Sequence, residues 1–153
     1  ACRNLRLGVD AAIDRAAQAL LDDPSLLMST LKRKIERPEE IQSPHVVKVV
    51  TNLQDDAIYF SRHPIPFNRG GDQGIEYPYF KHIGLYVYRR DFLLGYSAMP
   101  VGPLERAESL EQLRALENGH RIRVLETAYD SLGVDTPEDL RHVESLLAQR
   151  PLD

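Results

Sequence analysis

Residues 80–90 read Phe80-Lys81-His82-Ile83-Gly84-Leu85-Tyr86-Val87-Tyr88-Arg89-Arg90, a run that reads as a central strand with two different faces. Successive side chains of a strand point to opposite sides, so Ile83, Leu85 and Val87 share one face while His82, Gly84, Tyr86 and Tyr88 share the other. The first face is core. The second sets an imidazole and two phenols around a glycine, which leaves room for a ligand to approach the backbone and be hydrogen-bonded. The same residues also read as ordinary half-buried strand surface, where aromatics are common.

On the C-terminal side, the pattern predicts a short helix over 91–96 capped by Asp91. A longer helix is predicted to open at Pro103-Leu104-Glu105, with proline and acid in its first turn and Leu104, Ala107, Leu110, Leu113 and Leu116 as its buried stripe. Glu108, Glu111 and Gln112 flank that stripe. A polar pair such as Glu111-Gln112 in mid-helix can turn inward onto a hydroxylated ligand or belong to a solvated face. Residues 121–125 read as a strand. Thr136 then reads as an N-cap with Pro137 at N1 and Asp139 at N3, followed by the apolar stripe Leu140, Val143, Leu146 and Leu147 of a final helix. Thr136 serves the cap, so the carboxylate of Asp135 is left as a candidate Mg²⁺ ligand at the end of an extended segment.

On the N-terminal side, residues 1–9 have no clear period and are expected to be irregular. A helix is predicted from an Asp10 N-cap through Ile13, Ala16, Ala17, Leu20 and Leu21 to a stop at Asp22-Asp23-Pro24. Residues 27–35 alternate as a strand, and Pro38-Glu39-Glu40-Ile41 makes a helical turn. Residues 45–51 and 57–60 are rich in β-branched and aromatic side chains and form a predicted antiparallel hairpin. A long irregular segment follows, from 63 to 79, with arginines at Arg62 and Arg69. A loop of that length in a compact domain is commonly functional, and an arginine opening it is placed to fork onto a carboxylate or phosphate, or to be a surface charge.

The chain of 153 residues fits one domain with a sizeable core. Its single cysteine, Cys2, excludes an intramolecular disulfide and suits a reducing cytoplasm. Charged residues make up 27% with a net charge of −4, which argues against nucleic-acid partners and a basic membrane-binding surface. No apolar run approaches the ~20 residues of a membrane span.

Four stretches, taken in order, resemble the C-terminal part of the CMP-Kdo synthetase family, the 3-deoxy-manno-octulosonate cytidylyltransferases of lipopolysaccharide synthesis. They are Pro44-His45-Val46-Val47-Lys48-Val49-Val50 with Tyr59-Phe60-Ser61-Arg62 and Ile65-Pro66; His82 to Arg89; Pro103-Leu104-Glu105 to Leu110-Glu111-Gln112-Leu113-Arg114; and Gly133-Val134-Asp135-Thr136-Pro137-Glu138-Asp139-Leu140. The resemblance implies a Rossmann-like, three-layer αβα nucleotidyltransferase fold over residues 10–150, truncated by loss of its nucleotide-binding half. An arm around 61–80 would make a homodimer. It further implies that His82, Tyr86, Glu111 and Gln112 hold the sugar acid Kdo, that Arg62 and Arg69 lie near that pocket, and that Asp135 is one of two aspartates binding Mg²⁺. The family joins CTP and Kdo into CMP-Kdo and pyrophosphate.

The glycine- and arginine-containing phosphate loop of that family, and the aspartate of its Asp-Glu-Pro stretch, are not found in this sequence. The expectation is a polypeptide inactive alone, binding CTP only if a complementary half is supplied. The alternatives are a homodimeric binding module for a small acidic sugar or anion and one chain of a split enzyme. An exposed sheet edge is expected to drive self-association.

Overall fold

The computed structural model describes residues 2–70, 77–129 and Arg141. Helix α1 spans Cys2–Asp22 and is followed by β1 (Met28–Lys34), α2 (Pro38–Gln42), β2 (Lys48–Thr51), β3 (Ala57–Ser61) and β4 (Phe80–Tyr88). Then come α3 (Arg90–Tyr96), α4 (Pro103–Glu108), α5 (Leu113–Glu117) and β5 (Ile122–Glu126). The strands form one mixed sheet in the order β3-β2-β4-β1-β5. Among the described strands only β1 and β5 run parallel; the β2–β3 hairpin is antiparallel, as are β2–β4 and β1–β4.

The strand over 80–88 occupies the middle of the sheet, and its two faces are those the alternation predicts. Ile83 is buried with Leu31 beneath Ala12 and Ala16 of α1, and Leu85 and Val87 pack against the same cluster. Tyr86 and Tyr88 face the opposite layer, where Met28, Val49, Phe60, Ile122 and Val124 meet Phe92 of α3 and Leu113 and Ala115 of α5. The result is a helix–sheet–helix sandwich, and β1, covered on both sides, is buried from Met28 through Lys32.

Three sequence expectations change. The first helix starts at Cys2, so residues 2–9 are helical where an irregular segment was expected, and Asp10 is not its cap. Nothing in residues 2–9 stops a helix, since the stretch has no proline and Gly8 costs only about 1 kcal/mol. Its buried stripe is Ala12, Ala16 and Leu20, with Ile13 and Leu21 exposed. The two alanines let the helix lie close on the sheet, where Ser29 Oγ donates to the Ala16 carbonyl at 2.7 Å. At α3 the N-cap is Arg89 and Asp91 sits inside the first turn, where its charge suits the helix dipole. The predicted Thr136 cap and final helix lie outside the described residues.

Pairing of β1 with β4 shifts between Thr30 and Leu31: Thr30 faces Tyr86 while Leu31 faces Ile83, so Gly84 and Leu85 form a bulge. Gly84 is exposed, and a Cβ there would meet nothing within 4 Å.

The hairpin is anchored by a buried ammonium. Lys48 is fully buried, and its Nζ donates to the carbonyls of Ser43, Val46 and Arg62. Burial pushes its pKa down, opposed by the charge of Glu108. Three acceptors match the three protons of an ammonium, so the lysine joins the exit of α2 to the end of β3. Lys48→Met keeps the length of the stem and leaves three carbonyls without this donor. It is expected to lower the unfolding free energy by about 3 kcal/mol, read from the denaturant midpoint at unchanged slope.

Candidate functional site

The helix predicted over 103–116 is two helices. It breaks at Ser109, whose φ of 52° is left-handed. Glu111 and Gln112 therefore lie in the connection between α4 and α5 rather than in mid-helix, and Leu104 and Ala107 are exposed instead of forming a stripe. Leu110 and Leu113 are buried as expected.

The break is held from the end of β3. One carboxylate oxygen of Glu108 accepts from Ser61 Oγ at 2.6 Å and the other from the Arg62 backbone N–H at 2.9 Å. The Arg62 guanidinium donates back to the carbonyls of Glu108 (2.9 Å), Pro44 (3.0 Å) and Ser109 (3.4 Å). A cation on the last carbonyls of a helix is favourable, and here it stops α4 at a fixed place. The pair Arg114–Glu105 (2.8 and 2.6 Å, two parallel bonds) ties α5 to α4. The Glu117 carboxylate accepts from the N–H groups of Leu104 and Glu105 and so caps α4 from outside. Gly102 makes that cap accessible, since a Cβ there would lie 2.2 Å from the carboxylate.

Held in this way, residues 109–112 face Tyr86, Tyr88 and Tyr96 across a cavity of about 300 Å³. Tyr96 O–H donates to the Glu111 carbonyl at 2.7 Å, and the Arg114 guanidinium lies 5.5 Å from the centre of the Tyr96 ring. Behind Tyr86, the His82 ring packs 5.3 Å from the Tyr86 ring and 5.1 Å from Phe60. Its Nε2 lies 2.8 Å from Thr30 Oγ1.

Burial, with the other phenols and Glu111 adding to it, pushes the Tyr86 hydroxyl well above the usual range. Tyr88 moves the same way, and Tyr96 is pushed up to about 12. Desolvation holds His82 down to about 4. At neutral pH the site thus offers uncharged phenols and an uncharged imidazole. Gln112 is 4% exposed, lines the cavity, and has no hydrogen-bond partner for its side chain among the described residues. A buried amide without a partner is costly, and this one borders open space of ligand size.

Of the predicted site residues, Tyr86, Glu111 and Gln112 line one cavity with His82 packed behind them. Arg62 fastens the loop that carries two of them. Arg69 is exposed in the irregular segment, and Asp135 lies outside the described residues. Tyr96 and the Glu108–Ser61 bond were not anticipated. The signals for Tyr96 were its spacing of four from Phe92 along α3 and the aromatic run from Tyr88.

This sandwich, with its polar cavity between a central strand and a helix junction, is that of an α/β nucleotidyltransferase. The sequence profile of the cytidylyltransferase family matches residues 9–122, and the chain belongs to that family. It is 67% identical over 136 residues to the 3-deoxy-manno-octulosonate cytidylyltransferase of Solibacter usitatus, covering 89% of this chain and 53% of that protein. The enzyme of the same name from Geobacter sulfurreducens is 52% identical over 141 residues, with 87% and 56% covered. Among solved structures, CMP:2-keto-3-deoxy-manno-octonic acid synthetase complexed with CTP superposes with a TM-score of 0.80 at 45% identity, covering 90% of this chain and 55% of that one. The chain spans about half the length of the relatives it matches.

The position of His82 has a consequence for stability. Its imidazole titrates near 6.5 when unfolded and about 4 when folded, so between those values the unfolded chain binds the additional proton. Stability is expected to fall as pH drops from about 6.5 towards 4, by about 2–3 kcal/mol in all from this group. Denaturant titrations of the wild type and of His82→Gln across that window check it, the variant lacking this component of the slope.

Proposed function

We propose that this chain carries the acceptor-sugar cradle of a cytidylyltransferase that joins CTP to 3-deoxy-manno-octulosonate, giving CMP-Kdo and pyrophosphate. The observation that carries the reading is Gln112, whose buried amide faces a cavity otherwise lined by three phenols, Glu111, Ser109 and Leu110. Neutral donors and acceptors beside one carboxylate suit a polyhydroxylated ligand. Each sugar hydroxyl can both donate and accept, and the Glu111 carboxylate only accepts. Tyr86, Glu111 and Gln112, which line the cavity, are assigned to the sugar hydroxyls, and His82, in ring contact with Tyr86, is assigned with them on the family resemblance. Arg69 is assigned to the side of the pocket nearer the arm on the family resemblance, and Arg62, whose guanidinium holds the carbonyls of Glu108, Pro44 and Ser109, is assigned to fastening the loop that carries Glu111 and Gln112.

In the proposed reaction the anomeric hydroxyl oxygen of the sugar attacks the α-phosphorus of CTP, and the bond to the pyrophosphate oxygen breaks. The contribution of these residues is to fix the sugar so that one hydroxyl faces the nucleotide. On the family resemblance Asp135 would hold Mg²⁺, which would offset charge on the phosphate oxygens; among the described residues no group of three or more His, Cys, Asp or Glu side chains comes together to hold a metal ion. The sequence contains no glycine-rich phosphate loop, so the polypeptide of 153 residues alone is proposed not to turn over CTP. Homodimerisation through the arm at 61–80 is supported by Phe67, 89% exposed within it.

Isothermal calorimetry with Kdo in the absence of CTP is expected to show binding at one site per chain, and Gln112→Leu is expected to weaken it by about tenfold or more. The same variant, freed of a buried amide, should unfold at an equal or higher denaturant concentration. Undetectable Kdo binding by the folded wild type overturns the reading. Light scattering at micromolar concentration is expected to give the mass of a dimer, and Phe67→Ser to shift it towards the monomer.

A further inference from the structure

The Thr30 hydroxyl stands inside the β4 bulge with three polar neighbours and one proton to give. Its Oγ1 lies 2.8 Å from the Leu85 carbonyl oxygen, 3.2 Å from the Ile83 carbonyl oxygen and 2.8 Å from His82 Nε2. A carbonyl oxygen can only accept, whereas a ring nitrogen of neutral histidine donates or accepts according to tautomer. Were the Thr30 proton directed at His82, two carbonyl oxygens would face its lone pairs at hydrogen-bond distance with no proton between, which is repulsive. The arrangement that satisfies every contact has the hydroxyl donating to the bulge carbonyls and accepting from Nε2–H of His82.

We infer that Thr30 is a positioning residue that locks His82 in the Nε2–H tautomer and leaves Nδ1, which has no partner among the described residues, as a hydrogen-bond acceptor for a donor hydroxyl of the bound sugar acid. The tautomer follows from the three contacts alone; the use of Nδ1 rests on the sugar-acid reading above. His82 suits this task because desolvation keeps its ring neutral at pH 7, so the distinction between its two nitrogens persists. The device depends on the bulge, since the two carbonyls that compel the orientation of the hydroxyl flank the extra residues Gly84 and Leu85. A valine at position 30 keeps the shape and removes the hydroxyl; a serine keeps the hydroxyl.

Long-range proton–nitrogen NMR of the ¹⁵N-histidine-labelled chain, without ligand at pH 7.5, reads the tautomer directly. The wild type and Thr30→Ser are expected to show His82 protonated at Nε2 only, and Thr30→Val a mixture of tautomers. A wild-type ring protonated at Nδ1, or a Thr30→Val ring that stays wholly Nε2–H, overturns the inference.

Kdo is then titrated into the same samples. The expected result is an upfield movement of the wild-type Nδ1 resonance as it accepts a hydrogen bond, with affinity about tenfold lower in Thr30→Val and within about twofold in Thr30→Ser. Binding by the wild type with Nδ1 unmoved overturns the acceptor role while the sugar-acid reading stands. No binding by the wild type overturns that reading and the acceptor role together, whereas the ligand-free spectra still decide the tautomer.

Discussion

The site depends on one carboxylate at a helix end. Glu108 accepts from the side chain of Ser61 and the backbone of Arg62, and Arg62 answers by donating to the carbonyls that α4 would otherwise leave unsatisfied. Without this reciprocal clasp the chain from 103 has no evident reason to stop at 108, because its residues are good helix formers up to the left-handed Ser109. With it, the last turn is diverted, Leu110 enters the core and Gln112 is drawn beneath the sheet face that carries the tyrosines. A contact at the end of β3 thus determines where a loop some 50 residues later meets the aromatic strand.

The surroundings of the clasp are correspondingly stiff. Lys48 gathers three carbonyls, one of them that of Arg62, so the residue that fastens the loop is itself fastened at its backbone. On the far side, Arg114 and Glu117 lock α5 against α4. Between these anchors Tyr86, Tyr88 and Tyr96 wall the cavity, within a run of rings in mutual contact that extends from His82 to Phe92. Charge is kept at the periphery, where Glu111 is exposed, and the interior is neutral and hydrogen-bonding. That suits recognition of hydroxyl groups, whose orientation matters more than their charge.

Much of the sheet was legible in the sequence because strand periodicity is local. The alternation over 80–88 predicted which side chains face α1 and which face the site, and the β-branched runs marked the hairpin. The family resemblance singled out positions 82, 86, 111 and 112, and the structure brings Tyr86, Glu111 and Gln112 to one cavity with His82 against Tyr86. What escaped were features decided by partners distant in sequence. The apolar spacing from Leu104 to Leu116 fits one helix well, and only the Glu108–Ser61 and Arg62 bonds, formed across 46 or 47 positions, divide it. Arg62 looked like an anion ligand because an arginine opening a loop is chemically able to be one, but three of its donors meet backbone carbonyls. The early start of α1 escaped because the absence of an apolar period was read as absence of a helix.

The bulge in β4 contains two additional residues, and the evenness of that number matters. An even excess slides one half of the strand along its neighbour while every side chain keeps its side, so Ile83 still points to α1 and Tyr86 still shares a side with His82. An odd excess would have sent the tyrosines into the helix-packed core and brought Val87 to the cavity. The bulge therefore displaces the register of the strand by two residues without exchanging its faces, and a single unbroken alternation from 80 to 88 names the lining of the cavity and the contacts of α1 alike.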